Sequence, residues 1–248
     1  MSDNNNFQRN AEPIVTVIIA AAGSGTRMGG VYKPLEKLCG KPVLSYSLGI
    51  FQKSPYVKQI IIAAREDKTD EIHGLVLKEG FDKVKYVISG GESRQDSVEK
   101  AFRKVFSTKE SITKLVAVHD AARPLLTQKD AEKAFGLAKK YGSAVCASRV
   151  RDTVKRTDAA GVVSESVDRD GLWLIQTPQV FDTDIFHTAL SVAKKDGFSA
   201  TDDGSLVDAA GFKVLLSEAS AFNIKLTYPE DMLFASALLS SRKQTEEE

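Results

Sequence analysis

The chain has 248 residues, 42% of them hydrophobic, which allows a sizeable core and excludes global disorder. Its 34 basic and 33 acidic residues leave a net charge of +1, without the basic excess of a general nucleic-acid or membrane-surface binder but with room for a small basic pocket around an anion. Two cysteines, Cys39 and Cys146, form neither a CxxC motif nor a disulfide framework, which predicts a reducing, cytoplasmic setting.

Residues 1–12 are polar and rich in asparagine; they are expected to be disordered and carry neither a signal peptide nor an anchor. Residues 13–240 are expected to form the folded domain, and no apolar stretch in them is long enough to span a bilayer. Ile14 to Ala20 is a β-branched run that predicts a strand buried on both faces, as in a parallel sheet. A glycine-rich loop, Ala21 to Gly30, follows it. Pro42 to Phe51 predicts a helix, with Leu44, Leu48 and Phe51 on one face. Gln59 to Ala64 and Lys83 to Ile88 read as two more strands. Asp96 or Ser97 is the predicted cap of a helix whose apolar face is Val98, Ala101, Phe102 and Val105. Leu115 to Val118 reads as a strand ending at His119-Asp120, and Ala131, Ala134, Phe135 and Ala138 line a further helix.

This order predicts an α/β sheet with crossover helices, whose ligands sit beyond the carboxyl ends of the strands. The loops after Ala20 and Val118 both lie at such ends and are candidates to face one pocket. Arg149 to Arg169 breaks the rhythm with a β-hairpin around Asp158-Ala-Ala-Gly161. It is too polar to support itself and is expected to pack on the body or on a second subunit. Ile185, Phe186, Ala189, Leu190 and Ala193 predict a later helix, and Pro229-Glu-Asp opens the last one with proline and acids in the first turn. Residues 241–248 are charged and predicted to fray.

Five segments carry candidate chemistry. In Ala21 to Met28 two glycines let backbone N–H groups close around phosphate oxygens, and Arg27 adds a bidentate fork; a tight turn with a solvated arginine is the competing reading. The third glycine of a dinucleotide fingerprint and the Gly-Lys-Ser/Thr of a Walker A loop are both missing. Lys33 is placed to reach the same phosphates, though Lys37 and Lys41 compete and any of them suits a surface. In Val118 to Pro124, Asp120 at a strand tip suits a Mg²⁺ ligand or a turn residue, Arg123 a second phosphate, and His119 a packed, hydrogen-bonded position. Asn223 to Thr227 reads as a short strand carrying Lys225, which by itself fits a sheet edge. Ser89 to Ser97 is a loop entering a helix, either a plain glycine turn or a loop whose backbone reads a base edge.

Taken in order, AAGSGTRM (21–28), Lys33 with LCGKPVL (38–44), GGESRQDSV (90–98), VHDAARP (118–124), VRDTVKR (150–156), VDRDGLW (167–173), QTPQVF (176–181), TDDGSLV (201–207) and NIKLT (223–227) resemble the 2-C-methyl-D-erythritol 4-phosphate cytidylyltransferase family of isoprenoid biosynthesis. The resemblance implies a Rossmann-like nucleotidyltransferase fold: a twisted, mostly parallel sheet flanked by helices, with a protruding β-arm at residues 149–171 that exchanges between subunits of a homodimer. It implies transfer of the cytidylyl group of CTP to a sugar-alcohol phosphate, with release of pyrophosphate. Ala21, Ala22, Gly23 and Gly25 would meet the CTP phosphates and sugar, while Gly91, Glu92 and Ser97 would read cytosine. Arg27, Lys33 and Lys225 would be catalytic, and Asp120 would hold Mg²⁺. Arg123, Thr153, Thr177 and Thr201 would contact methylerythritol phosphate, with Arg169 reaching in from the partner's arm. The chain departs from the family around the loop lysine, where Tyr32 and Pro34 replace the usual Pro and Gln, and at Glu92, where Asp is common.

The phosphate-monoester acceptor is itself the nucleophile, so no Ser-His-Asp or Cys-His set is required. Ribitol-5-phosphate cytidylyltransferases are the neighbouring alternative; the double alanine of His119-Asp120-Ala121-Ala122-Arg123 favours the isoprenoid family over the HDAVRP of its sister. A regulatory nucleotide-binding domain without catalysis is the non-enzyme alternative. It would be expected to lack some of Arg27, Lys33, Asp120 and Lys225, and all four are present.

Overall fold

The run predicted as the first strand forms β1 (Val15–Ala21), in the interior of a mixed seven-stranded sheet. The computed structural model describes residues 12–23, 30–107 and 112–247, with side chains through Arg242. After β1 come a small hairpin, β2 (Lys37–Leu38) and β3 (Lys41–Pro42), then α1 (Val43–Lys53), β4 (Val57–Ala64), α2 (Thr69–Glu79), β5 (Val84–Ser89) and α3 (Arg94–Val105). The second half runs β6 (Leu115–Asp120), α4 (Gln128–Tyr141), β7 (Ser143–Arg149), β8 (Val154–Thr157), β9 (Val163–Val167), β10 (Trp173–Asp182), α5 (Thr183–Asp196), α6 (Asp203–Ala209), β11 (Leu216–Glu218) and α7 (Pro229–Glu247). Residues 241–247, where a frayed end is expected, carry helical backbone; the segment holds neither glycine nor proline to stop the helix.

The strand order is β11-β7-β10-β6-β1-β4-β5, and β10 alone runs against its neighbours. Alternate residues of β1 feed two cores. Val15, Val17 and Ile19 pack with Leu44, Leu48 and Phe51 of α1, Ile72 of α2 and Phe135 of α4. Ile18, from the opposite face, packs with Val98 and Phe102 of α3 and Phe186 of α5. Helices on both faces explain why the central strands read as continuous apolar runs.

Three local features differ from expectation. Two parallel strands need a crossover, and α2 supplies it between β4 and β5. Only Ile72 and Val76 of α2 are buried, so its sequence signal is faint. The cap of α3 is Ser93, upstream of the predicted Asp96 or Ser97: its hydroxyl accepts from the Asp96 N–H while the Asp96 carboxylate accepts from the Ser93 N–H. Asn223 to Thr227 is not a strand; a backbone bond from Leu226 N–H to Ala122 O and the buried Asn223 side chain hold it in place.

The hairpin β8–β9 forms around the predicted turn, pairing Val154 with Val167 and Arg156 with Glu165. Residues 155–166 are all exposed, so this arm does not pack on the described body of its own chain. Its base is held where β7 and β10 pair, with the Arg149 guanidinium 4.4 Å from the centre of the Trp173 ring.

Candidate functional site

Parallel β1, β4, β5 and β6 end on the same side of the sheet, and the loops leaving β1, β5 and β6 line a cavity of about 390 Å³. Ala21, Ala22 and Gly23 after β1, Lys33 and Pro34, Gly91, Glu92, Arg94 and Ser97, Asp120 to Ala122, and Lys225 line it. The two loops predicted to share a pocket do so. Gly25 and Arg27 lie outside the described residues.

The loop after β5 approaches the loop after β1 closely. A Cβ built on Gly90 would come 2.5 Å from Ala22 Cβ, and one on Gly91 would come 2.3 Å from Asp96 Cβ, so both positions need glycine for lack of space. The Gly91 N–H donates to Ser97 Oγ at 2.9 Å, which in turn donates to Ser93 O. The first turn of α3 thereby shapes the loop predicted to read the base.

Lys33 opens a short 3₁₀ turn, Lys33–Leu35, and Pro34 beside it is buried. Its Nζ donates to Leu226 O at 2.9 Å, next to Lys225 in the chain. Tyr32 is also buried, with the Arg65 guanidinium 5.1 Å from its ring centre, and burial pushes its hydroxyl up to about 12. The departure from the family around Lys33 therefore takes the form of a packed aromatic followed by a proline-stiffened turn.

Asp120 ends β6, facing the cavity. Its Oδ1 accepts from Arg94 Nε at 3.0 Å and its Oδ2 from Lys225 Nζ at 2.7 Å. Burial alone would raise its pKa, but Arg94 and then Lys225 outweigh burial and hold it well below the usual carboxylate range. Arg94 also donates to Asp203 Oδ2 at 2.8 Å. Asp203 is completely buried, and that burial keeps its pKa above the ordinary aspartate value despite the arginine. Arg94 and Asp203 were not legible as site residues; an arginine in the first turn of a helix, against the dipole, is the signal that marks the former.

His119 is packed, as expected, with its ring edge to Phe51 at 5.3 Å between centres. Its Nε2 lies 3.2 Å from the Arg123 carbonyl, which only accepts, so Nε2 carries the proton and Nδ1 accepts from Thr177 Oγ1 at 3.0 Å. Thr177 Oγ1 in turn accepts from the Asp120 N–H at 3.1 Å. Burial holds the imidazole down to about 4, so it is neutral at pH 7.

The residues predicted to meet the acceptor do not line this cavity. Thr177 is buried behind Asp120 and bonded inward. Arg123 donates to the carbonyls of Asn223 and Ile175, at 2.6 and 3.2 Å. Thr201 is exposed at the approach to α6, and Thr153 and Arg169 are exposed on the arm, where Arg169 donates to Arg151 O.

Asp120 suits a magnesium ion: it is an ionised carboxylate facing a cavity, and Mg²⁺ needs only one or two protein carboxylates alongside phosphate oxygens and water. The described residues hold no cluster of three metal-ligating acids, histidines or cysteines.

A family model described as IspD, 2-C-methyl-D-erythritol 4-phosphate cytidylyltransferase, matches residues 15–241. The protein of that name from Halalkalibacterium halodurans is 36% identical over 230 residues, 92% of this chain and 98% of its own length. Its counterpart from Lysinibacillus sphaericus is 40% identical over 227 residues, 91% and 96% of the two chains. The crystal structure of 4-diphosphocytidyl-2C-methyl-D-erythritol synthase from Anaerococcus prevotii superposes with a TM-score of 0.78 at 28% identity, covering 93% of this chain and 100% of that one. With both loops and Asp120 in one cavity and the match running through nearly the whole folded chain, this protein belongs to the 2-C-methyl-D-erythritol 4-phosphate cytidylyltransferase family.

Proposed function

We propose that the chain transfers the cytidylyl group of CTP to 2-C-methyl-D-erythritol 4-phosphate, giving 4-diphosphocytidyl-2-C-methyl-D-erythritol and pyrophosphate. The observation that carries this reading is the convergence of Lys33, Asp120 and Lys225, far apart in sequence, on one cavity floored by the backbone of Ala21 to Gly23. Family membership names the nucleotide and the acceptor.

An oxygen of the acceptor phosphate attacks the α-phosphorus of CTP. A new P–O bond forms, the bond from the α-phosphorus to the β-phosphate oxygen breaks, and pyrophosphate leaves with the electron pair. The attacking group is already an anion and needs no general base. His119, neutral and bonded through both nitrogens, is not asked to be one. Repulsion between two anions dominates the barrier, so fixed positive charge lowers it. Lys33 and Lys225 supply that charge from the described residues, and Arg27 completes it. Backbone of Ala21, Ala22, Gly23 and Gly25 receives the phosphates and sugar, and Gly91, Glu92 and Ser97 the base. Mg²⁺ held by Asp120, when bound, adds charge neutralisation on the phosphates. Arg123, Thr153, Thr177 and Thr201 belong to the acceptor side in this reading.

The arm fits a homodimer contact that brings Arg169 of the partner subunit to the acceptor. Val162 and Val163 are 63% and 55% exposed at its tip, apolar surface that a subunit contact would cover. The setting proposed is cytoplasmic; no helix among the described residues is long and apolar enough to cross a membrane.

The test is pyrophosphate release from four nucleoside triphosphates with methylerythritol phosphate and with ribitol 5-phosphate. Release confined to CTP with methylerythritol phosphate is expected. Preference for ribitol 5-phosphate, or for another nucleotide, would overturn the reading.

A further inference from the structure

Two cations hold Asp120, and their surroundings differ. Lys225 reaches Oδ2 on a flexible stem whose side chain is 39% exposed, and this is its one ion pair among the described residues. Arg94 reaches Oδ1 through Nε and also binds Asp203, whose side chain is 1% exposed, through Nη2. The other Asp203 oxygen is buried with no hydrogen-bond partner among the described residues. Arg94 therefore cannot leave without stranding a buried acid, whereas Lys225 leaves Asp120 still paired. The planar guanidinium, fixed at both ends, is also the better preorganised of the two.

The placement of Arg94 in the chain points the same way. It is the first residue of α3, where the helix dipole disfavours a cation, so local helix preference does not select it. It follows Ser93, the cap of α3 at the end of the loop that carries Gly91 and Glu92, and it lines the same cavity as Asp120. One side chain thus ties the base-side loop to the tip of β6.

We propose that Arg94 is a positioning residue for Asp120: anchored by Asp203, it keeps hold of Oδ1 throughout the reaction, while Lys225 is the partner that yields Oδ2 to an incoming divalent cation and turns to the phosphates. The proposal rests on the reading of Asp120 as the cation ligand. A ligand's supporting hydrogen bond typically changes metal affinity 10- to 100-fold when removed.

The probe is Mn²⁺ with CTP and no acceptor, with bound metal measured by electron paramagnetic resonance and folding by thermal melting. Asp120→Asn is expected to lose the Mn²⁺ site. Arg94→Lys, which cannot span both carboxylates, is expected to raise the half-saturating Mn²⁺ concentration about tenfold or more. Arg94→Gln combined with Asp203→Asn removes the stranded charge, so it is expected to melt near the wild type and still show the weakened metal. At CTP concentrations that saturate each variant, Lys225→Met is expected to raise the half-saturating Mn²⁺ concentration less than Arg94→Lys does. CTP affinity in EDTA is expected to change less than about threefold in both Arg94 variants, because two carboxylates already neutralise the guanidinium.

Wild-type Mn²⁺ binding in the Arg94 variants, with Asp120→Asn still deficient, would overturn this proposal alone. So would a loss of CTP affinity in EDTA, which would make Arg94 a phosphate ligand, or a Lys225→Met defect as large as that of Arg94→Lys. Wild-type Mn²⁺ binding by Asp120→Asn would overturn both this proposal and the metal reading beneath it.

Discussion

Lys225 Nζ lies 2.7 Å from Asp120 Oδ2, although 105 positions separate the two residues in the chain. The contact depends on an irregular segment held by the Asn223 side chain, which donates to Gln176 Oε1 and Thr177 O, and by the Leu226 N–H on Ala122 O. Lys225→Met should lower kcat by roughly a hundredfold or more, the usual cost of one transition-state charge donor. It should change stability by less than about 1 kcal/mol, because the lysine is more than a third exposed and Arg94 still holds Asp120. Steady-state pyrophosphate release and urea unfolding measure the two.

Lys33→Ala should also cost about 3 kcal/mol in the transition state, a drop in kcat of roughly a hundredfold or more. The turn it opens is held by buried Tyr32 and Pro34, so the fold should not change. Near-normal turnover in a variant with an unaltered circular dichroism spectrum would remove Lys33 from the catalytic group.

Gly90→Ala should raise the KM for CTP about tenfold, equivalent to roughly 1.4 kcal/mol. The added methyl meets Ala22 and Ser97 and forces the two nucleotide loops apart. The KM for the acceptor should move much less. Equal changes in both constants would show that the loops do not divide the substrates as described.

His119 makes stability fall with acid. In the unfolded chain a histidine takes its proton near pH 6.5, and in the fold burial holds this one down to about 4. Between those values the unfolded state binds the extra proton, so metal-free protein loses stability as pH falls, by about 3 kcal/mol below the folded value. Asp203, raised by burial, acts in the opposite sense, so the quantity to measure is the difference between wild type and His119→Gln in urea unfolding from pH 4 to 7. The variant should lack this part of the slope; identical slopes would place the proton elsewhere.

The sheet was legible wherever burial on both faces leaves an uninterrupted apolar run, as in β1, β4 and β6. Crossover α2 was hidden because it buries only Ile72 and Val76. Asp120 and Lys33 could be read from position, since each follows a strand end or a phosphate-type loop. Arg94 and Asp203 could not, because their meaning is mutual: each is explained by a partner 109 positions away, and periodicity carries no such information. Thr177 illustrates the same limit. Its place in a motif is plain, but its inward bonds to Asp120 and His119 appear only once β10 lies antiparallel beside β6.

The most direct test of the site is a crystal structure with CTP and Mg²⁺. The triphosphate should lie over Ala22 and Gly23 with Lys33 and Lys225 on its oxygens, the cation on Asp120, and the base against Gly91 and Ser97. A triphosphate bound elsewhere, with the Lys225–Asp120 contact intact and the cavity free of nucleotide, would contradict it.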